Sequence, residues 1–254
     1  MYWRDKWSFI NSNEYEFKWV GKYGAKGEKR AKKKKATPEQ IKKQNQANKE
    51  KKMKRLIKAN FTEGDYLLTL KYPQGTRKAL SEVKADLKKF ITNMRRQYAK
   101  QGETFKFIYR MEIGARGGIH IHMIVPRIRG SDTDNIIQKG WKEGRVNFQT
   151  LDDGEYTLLA SYITKPPIEE VEKQLSMFPE EDQKQLIKYS TSRNLIRPEP
   201  ERKTYSKWTV KRLIEEGPKP SPGYYIVKES IRMGTNQYTN MSYLHYTERK
   251  IESG

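Results

Sequence analysis

The chain has 254 residues, only 35% of them apolar, and sets 52 Lys and Arg against 31 Asp and Glu for a formal charge of +21. A surplus of that size points to a polyanionic partner, nucleic acid ahead of an acidic membrane surface, because neutralised phosphates release counterions whatever the base sequence. The absence of cysteine excludes disulfides, thiolate metal sites, zinc fingers and cysteine nucleophiles. No apolar run approaches the ~20 residues of a membrane helix, and "MYWRDKWSF" lacks a signal-peptide core, so a soluble, cytoplasmic protein is expected.

In chain order, charge concentrates first: Gly21 to Ile57 holds 15 Lys or Arg and 3 Glu. Within it "TPEQ" marks a helix start, with Thr37 as N-cap, Pro38 at the first helical position and Gln40 completing a capping box. Apolar residues after it are sparse. The segment therefore reads as a basic helix or arm outside the core, either simply solvated or gripping DNA through Lys32, Lys33, Lys34 and Lys35. Regular patterning begins with a β-rich run, Tyr66 to Tyr72, that ends at Pro73. Leu80, Val83, Leu87, Phe90, Ile91, Met94 and Tyr98 then recur at helical spacing, with Gly102 as the stop.

"FKFIYRMEIG" and "GIHIHMIV" read as two strands of a β-hairpin across the turn "ARG". A short helix around Asn135 to Lys139, the strand "RVNFQT" and a helix from Gly154 to Lys165, stopped by Pro166 and Pro167, follow. The order β, α, β, β, α, β predicts an α+β fold, a ferredoxin/RRM-like antiparallel sheet with its helices on one face. Beyond Arg197 a helix in "KWTVKRLIEEGPKP" and a Tyr-rich hairpin complete the chain. The expected division is a basic N-terminal arm/helix over 1–58, a central domain over 59–200 and a small C-terminal extension over 201–254.

On a strand, alternate side chains share a face, so His120 and His122 project together. If Gly114 and Gly118 close a three-residue loop, Glu112 lies opposite His120 and joins them. Two imidazoles and a carboxylate suit an open divalent site for Mn²⁺, Mg²⁺ or Zn²⁺; a half-buried polar strand face is the other reading of the same residues. At i and i+3 of one helix, Tyr162 and Lys165 share a side and can reach one phosphate. Most tyrosines instead pack, with the hydroxyl at the surface.

Taken together, these motifs resemble the HUH endonucleases that initiate rolling-circle replication. The resemblance rests on His120-Ile121-His122 after a Glu-bearing strand and on Tyr162-Ile163-Thr164-Lys165 some forty residues later. "YLLTLKYP" is similar to the family's first motif, and "KYSTSRNLIRPEP" to the Ser-Arg-x-Leu segment of phage and plasmid replication-associated proteins. The likeness spans about residues 30 to 200. Three-histidine relaxases, with a further histidine after the pair, do not fit, since His245 is far too distant. Histidine-triad hydrolases do not fit either, because Ile124 holds their third position, nor do two-tyrosine enzymes, because position 166 is Pro. The single-tyrosine class remains.

That resemblance implies a metal-dependent endonuclease and ligase. His120, His122 and Glu112 would hold Mn²⁺ or Mg²⁺, Tyr162 would attack a DNA phosphodiester to give a 5′-phosphotyrosine adduct, and Lys165 would assist. It also implies that Ser192 and Arg193 contact DNA. The implied partners are single-stranded or hairpin DNA at an origin and a host helicase, since the chain has no phosphate-binding loop of a motor, and the implied compartment is the bacterial host's cytoplasm. A single-tyrosine transposase or conjugative nickase, and a non-catalytic nucleic-acid-binding protein on the same fold, are the alternatives.

Overall fold

The computed structural model describes residues 1–21, 36–114, 117–152, 156–167, 172–173, 175–176, 178–236 and 240–251. In chain order the elements are β1 (Tyr2–Ser8), β2 (Ser12–Trp19), α1 (Pro38–Asn60), β3 (Tyr66–Lys71), α2 (Leu80–Lys100), β4 (Ile108–Ile113), β5 (Ile119–Val125), α3 (Thr133–Gly140) and β6 (Arg145–Thr150). They continue with α4 (Thr157–Thr164), α5 (Glu180–Ile187), β7 (Tyr189–Thr191), β8 (Glu201–Tyr205), α6 (Lys207–Glu216), β9 (Tyr224–Ile226), β10 (Arg232–Asn236) and β11 (Met241–Lys250). The fold is α+β, with two antiparallel sheets in two compact units, one of Met1–Ile41 with Arg197–Gly254 and one of Lys42–Ile196.

This division differs from the one expected at 58/59 and 200/201. Residues 2 to 19 are not an arm but a hairpin, and β1 pairs with β8 from the C-terminal extension, so both ends of the chain build one sheet in the order β10-β11-β2-β1-β8. The signal is the alternation of Tyr15, Phe17 and Trp19 after an Asn-Ser turn, which puts large rings on one face. Tyr2, Tyr15, Phe17, Leu244 and Tyr246 form that buried face together with Val210 of α6. The side chain of Ser206 caps α6 by accepting from the Thr209 amide at 3.1 Å, and Gly217 (φ 79°) follows its end. The C-terminal strands are as expected in place, but β9 and β10 both pair with β11.

In the unit Lys42–Ile196 the strands run β6-β3-β5-β4-β7. The central strand β3, "YLLTLK", alternates buried with half-buried residues, so each face of the sheet carries its own cover. On one face Leu68, Leu70, Met111, Ile121 and Met123 pack against Leu80, Val83, Leu87, Phe90 and Met94 of α2 and Ile137 of α3. The amide of Ala79 is bound by Glu82 at 2.8 Å at the start of α2, and Gly102 ends it with φ 73°, its amide donating to Ala99 O.

The other face is covered too, against the expectation of helices on one side only. Ile108 and Ile124 of the sheet pack there with Ala160 and Ile163 of α4 and with Met53, Leu56 and Ile57 of α1. The expectation that α1 lies outside the core is therefore overturned for its second half. The capping box at its start forms as expected: Gln40 N donates to Thr37 Oγ1 at 3.2 Å, and Thr37 N to Gln40 Oε1 at 3.0 Å. Its apolar residues gather in one stretch, Met53 to Ile57, which is enough to anchor a helix whose remaining turns are solvated. Lys32 to Lys35 lie outside the described residues.

Candidate active site

The site is built on the α1/α4 face of the five-stranded sheet. β4 and β5 pair in a register that sets Glu112 opposite His120 and Arg110 opposite His122. The hairpin closes where Gly114 N donates to Gly118 O at 2.8 Å, and Gly117, at φ 78°, takes the left-handed conformation that such a three-residue loop requires. Along this face the row of Ile108, Ile124 and Leu67 is apolar and lies against α4. The next row is Arg110, His122 and Thr69, and the third is Glu112, His120 and Lys71. The polar half of the face thus begins where the helix cover ends.

α4 brings Tyr162 over this polar half. The Tyr162 hydroxyl donates to Glu112 Oε2 at 2.8 Å. The Lys165 ammonium is 2.9 Å from Glu112 Oε1 and 4.5 Å from the Tyr162 ring centre. His122 Nε2 lies 3.2 Å from Glu112 Oε2, its Nδ1 lies 3.3 Å from Thr69 Oγ1, and its ring meets that of Tyr162 edge to face at 5.2 Å. One carboxylate therefore contacts a histidine, a tyrosine and a lysine. His120 leans toward the hairpin loop: a Cβ on Gly114 would stand 2.8 Å from its ring carbon Cε1, so the glycine makes room for the imidazole.

The electrostatics follow from these contacts. Hydrogen bonding to His122, with Lys165 and Tyr162 adding to it, outweighs burial and holds the Glu112 carboxyl well below the usual carboxylate range. Burial first, then the bond to the Glu112 charge, pushes the Tyr162 phenol well above its ordinary value. The hydroxyl is thus a neutral donor to a fixed anion. Burial, then the Lys71 charge, lowers the pKa of His120 and favours the neutral imidazole, the form that ligates metals.

Two imidazoles and a carboxylate on one face are donors of the type that suits a divalent cation. Their contacts here run to Tyr162, Lys165, Thr69 and each other, and among the described residues no group of three His, Asp or Glu converges in the manner of a metal cage.

Two clefts flank the site. One, of about 620 Å³, is bounded by Leu67, Leu151, Tyr156 and Leu159, with Thr69 and Gln149 on its sheet side, and reaches His122 and Tyr162. The other, of about 1190 Å³, runs past His120 between Lys71, Arg77 and Arg145 and is floored by glycines of the hairpin loop.

Of the residues singled out in the sequence, Glu112, His120, His122, Tyr162 and Lys165 share this face. Ser192 does not. It is buried, its Oγ accepts the Phe107 amide at 3.0 Å and its own amide donates to Phe107 O, so it extends the β4–β7 pairing. Arg193 is exposed beside Arg95, at a separate cleft. Sequence reasoning passes over Arg110, Thr69 and Gln46. The first two carry a legible signal, since each lies on the strand face of the histidine pair.

Searches among curated proteins and among solved structures returned no match. Among the described residues no helix is long and apolar enough to cross a membrane. The stretch 65–167, which begins with β3 and ends at the second proline after α4, contains all five of the clustered side chains and matches the family model for the replication-associated protein ORF2, so the chain carries a domain of that replication-associated family.

Proposed function

We propose that the chain starts rolling-circle replication of a phage, plasmid or related element by nicking and rejoining single-stranded DNA through Tyr162. The observation that carries this reading is the single carboxylate of Glu112, which touches Tyr162, Lys165 and His122 together inside the stretch that matches a replication-associated family. The run β3-α2-β4-β5-α3-β6 with strand order β6-β3-β5-β4 supports an HUH-type, ferredoxin-like core.

In the proposed step the Tyr162 oxygen bonds to phosphorus and the bond to the 3′ oxygen breaks. The phenolic proton leaves toward Glu112 Oε2, its acceptor at 2.8 Å, and the 3′ oxygen takes a proton from water. The products are a 5′-phosphotyrosine and a 3′-hydroxyl that primes synthesis, and the adduct retains the bond energy for rejoining. A phenol with pKa about 10 is a weak nucleophile at neutral pH, and the Lys165 ammonium, 4.5 Å from the ring centre, favours the negative charge that develops there. His120, His122 and Glu112 would hold Mn²⁺ or Mg²⁺, which supplies a Lewis acid for the phosphodiester oxygens. The cleft lined by Lys71, Arg77 and Arg145 supplies cations for the DNA backbone. Origin recognition, the bacterial cytoplasm as its place of action and a host helicase that unwinds the duplex complete the proposal.

The test is covalent capture. Oligonucleotides tiling the replicon that encodes the chain, incubated with the protein and Mn²⁺, are expected to give one species that survives denaturant. The species is lost in Tyr162→Phe and in the double change His120→Ala with His122→Ala. An adduct that persists in Tyr162→Phe refutes the assignment of the nucleophile, and cleavage by the double histidine variant refutes the metal donors.

A further inference from the structure

α4 has only eight residues and stops against two prolines, Pro166 and Pro167. The last carbonyls of a helix are ordinarily met by amides of the following turn or by water, yet proline has no N–H to give. Here side chains from two other elements meet them. Nη1 of Arg110 sits among the carbonyls of Lys165 at 2.6 Å, Ile163 at 3.2 Å and Tyr162 at 3.4 Å. Nε2 of Gln46 on α1 donates to the Thr164 carbonyl at 3.2 Å and to Thr164 Oγ1 at 3.3 Å. The four carbonyls from Tyr162 to Lys165 are all engaged.

Arg110 is only 3% exposed, and its charge lies at the C-terminal, negative end of the helix, where a cation is favoured. Two residues farther along the same strand face, Glu112 binds the Tyr162 hydroxyl and the Lys165 ammonium. β4 thus grips the helix twice, by its backbone through Arg110 and by its side chains through Glu112. A helix of two turns has little stability of its own, so its pose is set by such anchors. We propose that Arg110 is a positioning residue for the Tyr162 nucleophile, one guanidinium standing in for the amides that the Pro166-Pro167 stop cannot supply.

The proposal rests on the reading of Tyr162 as nucleophile, and its test separates the two. Arg110→Met keeps the apolar stem and removes the donors; Arg110→Lys returns a charged donor; Arg110→Gln returns a neutral one. Displacing a reacting atom by an ångström costs up to about 100-fold, so single-turnover nicking by Arg110→Met at saturating DNA should fall roughly 10- to 100-fold, with affinity for the oligonucleotide held within about twofold. Arg110→Lys should recover most of that loss, and amide exchange in α4 should quicken in Arg110→Met but not in Tyr162→Phe. Nicking by Arg110→Met within about threefold of the unmodified protein overturns the proposal, as does a loss of rate that follows loss of affinity. If Arg110→Met does not fold, Arg110→Gln is held to the same limits; failure of all three variants to fold would make Arg110 a residue of the fold and overturn the proposal. If the unmodified protein forms no adduct with any DNA, the nucleophile reading fails by itself, and unchanged α4 exchange in Arg110→Met then overturns the clamp.

Discussion

Replacing Ile57 by Ala tests whether α1 is part of the core beneath the site. Ile57 is 0% exposed and packs with Ile108, Ile124, Leu151, Ala160 and Ile163, the same cluster that seats α4. Truncation removes three carbons from a site bounded by a strand pair and a second helix, elements that cannot close around the gap without losing their own contacts. The expected cost is about 2 to 5 kcal/mol, against about 0.5 to 1.5 for Ile57→Val. The control is Ile41, on the same helix but 50% exposed, where Ile41→Ala should change stability by less than about 0.5 kcal/mol. Urea denaturation followed by amide exchange in β4, β5 and α4 reads the unit concerned, and an unchanged m value shows that the unfolded state is the same. A cost for Ile57→Ala equal to that for Ile41→Ala would refute the placement of α1 in the core and return it to the solvated arm expected from composition.

Three further outcomes follow from the geometry. Asp5, 1% exposed, binds Arg202 through both oxygens at 2.6 and 2.9 Å and Lys18 at 2.7 Å; burial opposes its charge, but these partners outweigh it and depress its pKa. Its stabilisation is therefore present above the unfolded value near 3.9 and is lost as pH falls through the folded one. Since both cations can turn to solvent, Asp5→Asn should cost about 1 to 3 kcal/mol at neutral pH, and the gap should close below about pH 4. Fluorescence of Trp3, Trp7, Trp19 and Trp208, all in that unit, follows the transition, and a gap independent of pH would contradict the ion-pair account. Gly102→Ala, at φ 73°, should cost about 1 kcal/mol in backbone strain although the added Cβ meets nothing; an unchanged Tm would argue against that conformation. Ser192→Ala should cost about 1 to 3 kcal/mol by orphaning the Phe107 amide while leaving the salt dependence of DNA binding untouched. A shallower slope in that variant would return Ser192 to the DNA surface.

The central β3-to-β6 run is readable because its period-2 and period-3.6 patterns are strong and its breaks are Gly and Pro. Register follows from the Gly-rich turn: once Gly114 and Gly118 close the loop, Glu112 must face His120. What composition hides is the second unit. β1 and β2 are as rich in charge as the basic segment after them, and their partner β8 lies some two hundred residues away, so no local period reveals the pairing. α1 is misjudged for a related reason. Its three core residues are clustered at one end, and averaging over a long basic stretch dilutes them. Ser192 is carried to the DNA surface by a motif likeness that says nothing of burial, whereas its hydroxyl is spent on the Phe107 amide.

Glu112 has two contributions to weigh, as a donor to a cation and as the acceptor that orients Tyr162, and two substitutions order them. Glu112→Asp keeps the charge but withdraws the carboxylate by one methylene, away from the Tyr162 hydroxyl at 2.8 Å and the Lys165 ammonium at 2.9 Å. Glu112→Gln keeps the length and an oxygen for the phenol to donate to, but gives up the anion that binds cations strongly. If orientation dominates, Gln retains more adduct formation than Asp at saturating Mn²⁺; if ligation dominates, the order reverses. The contacts drawn to Glu112 from α4 favour Gln above Asp, since the helix carrying the nucleophile meets this carboxylate with two side chains and a fall of about 100-fold can follow from displacing either. Asp above Gln in single-turnover rate would refute that ranking and make cation binding the reason for a carboxylate at position 112.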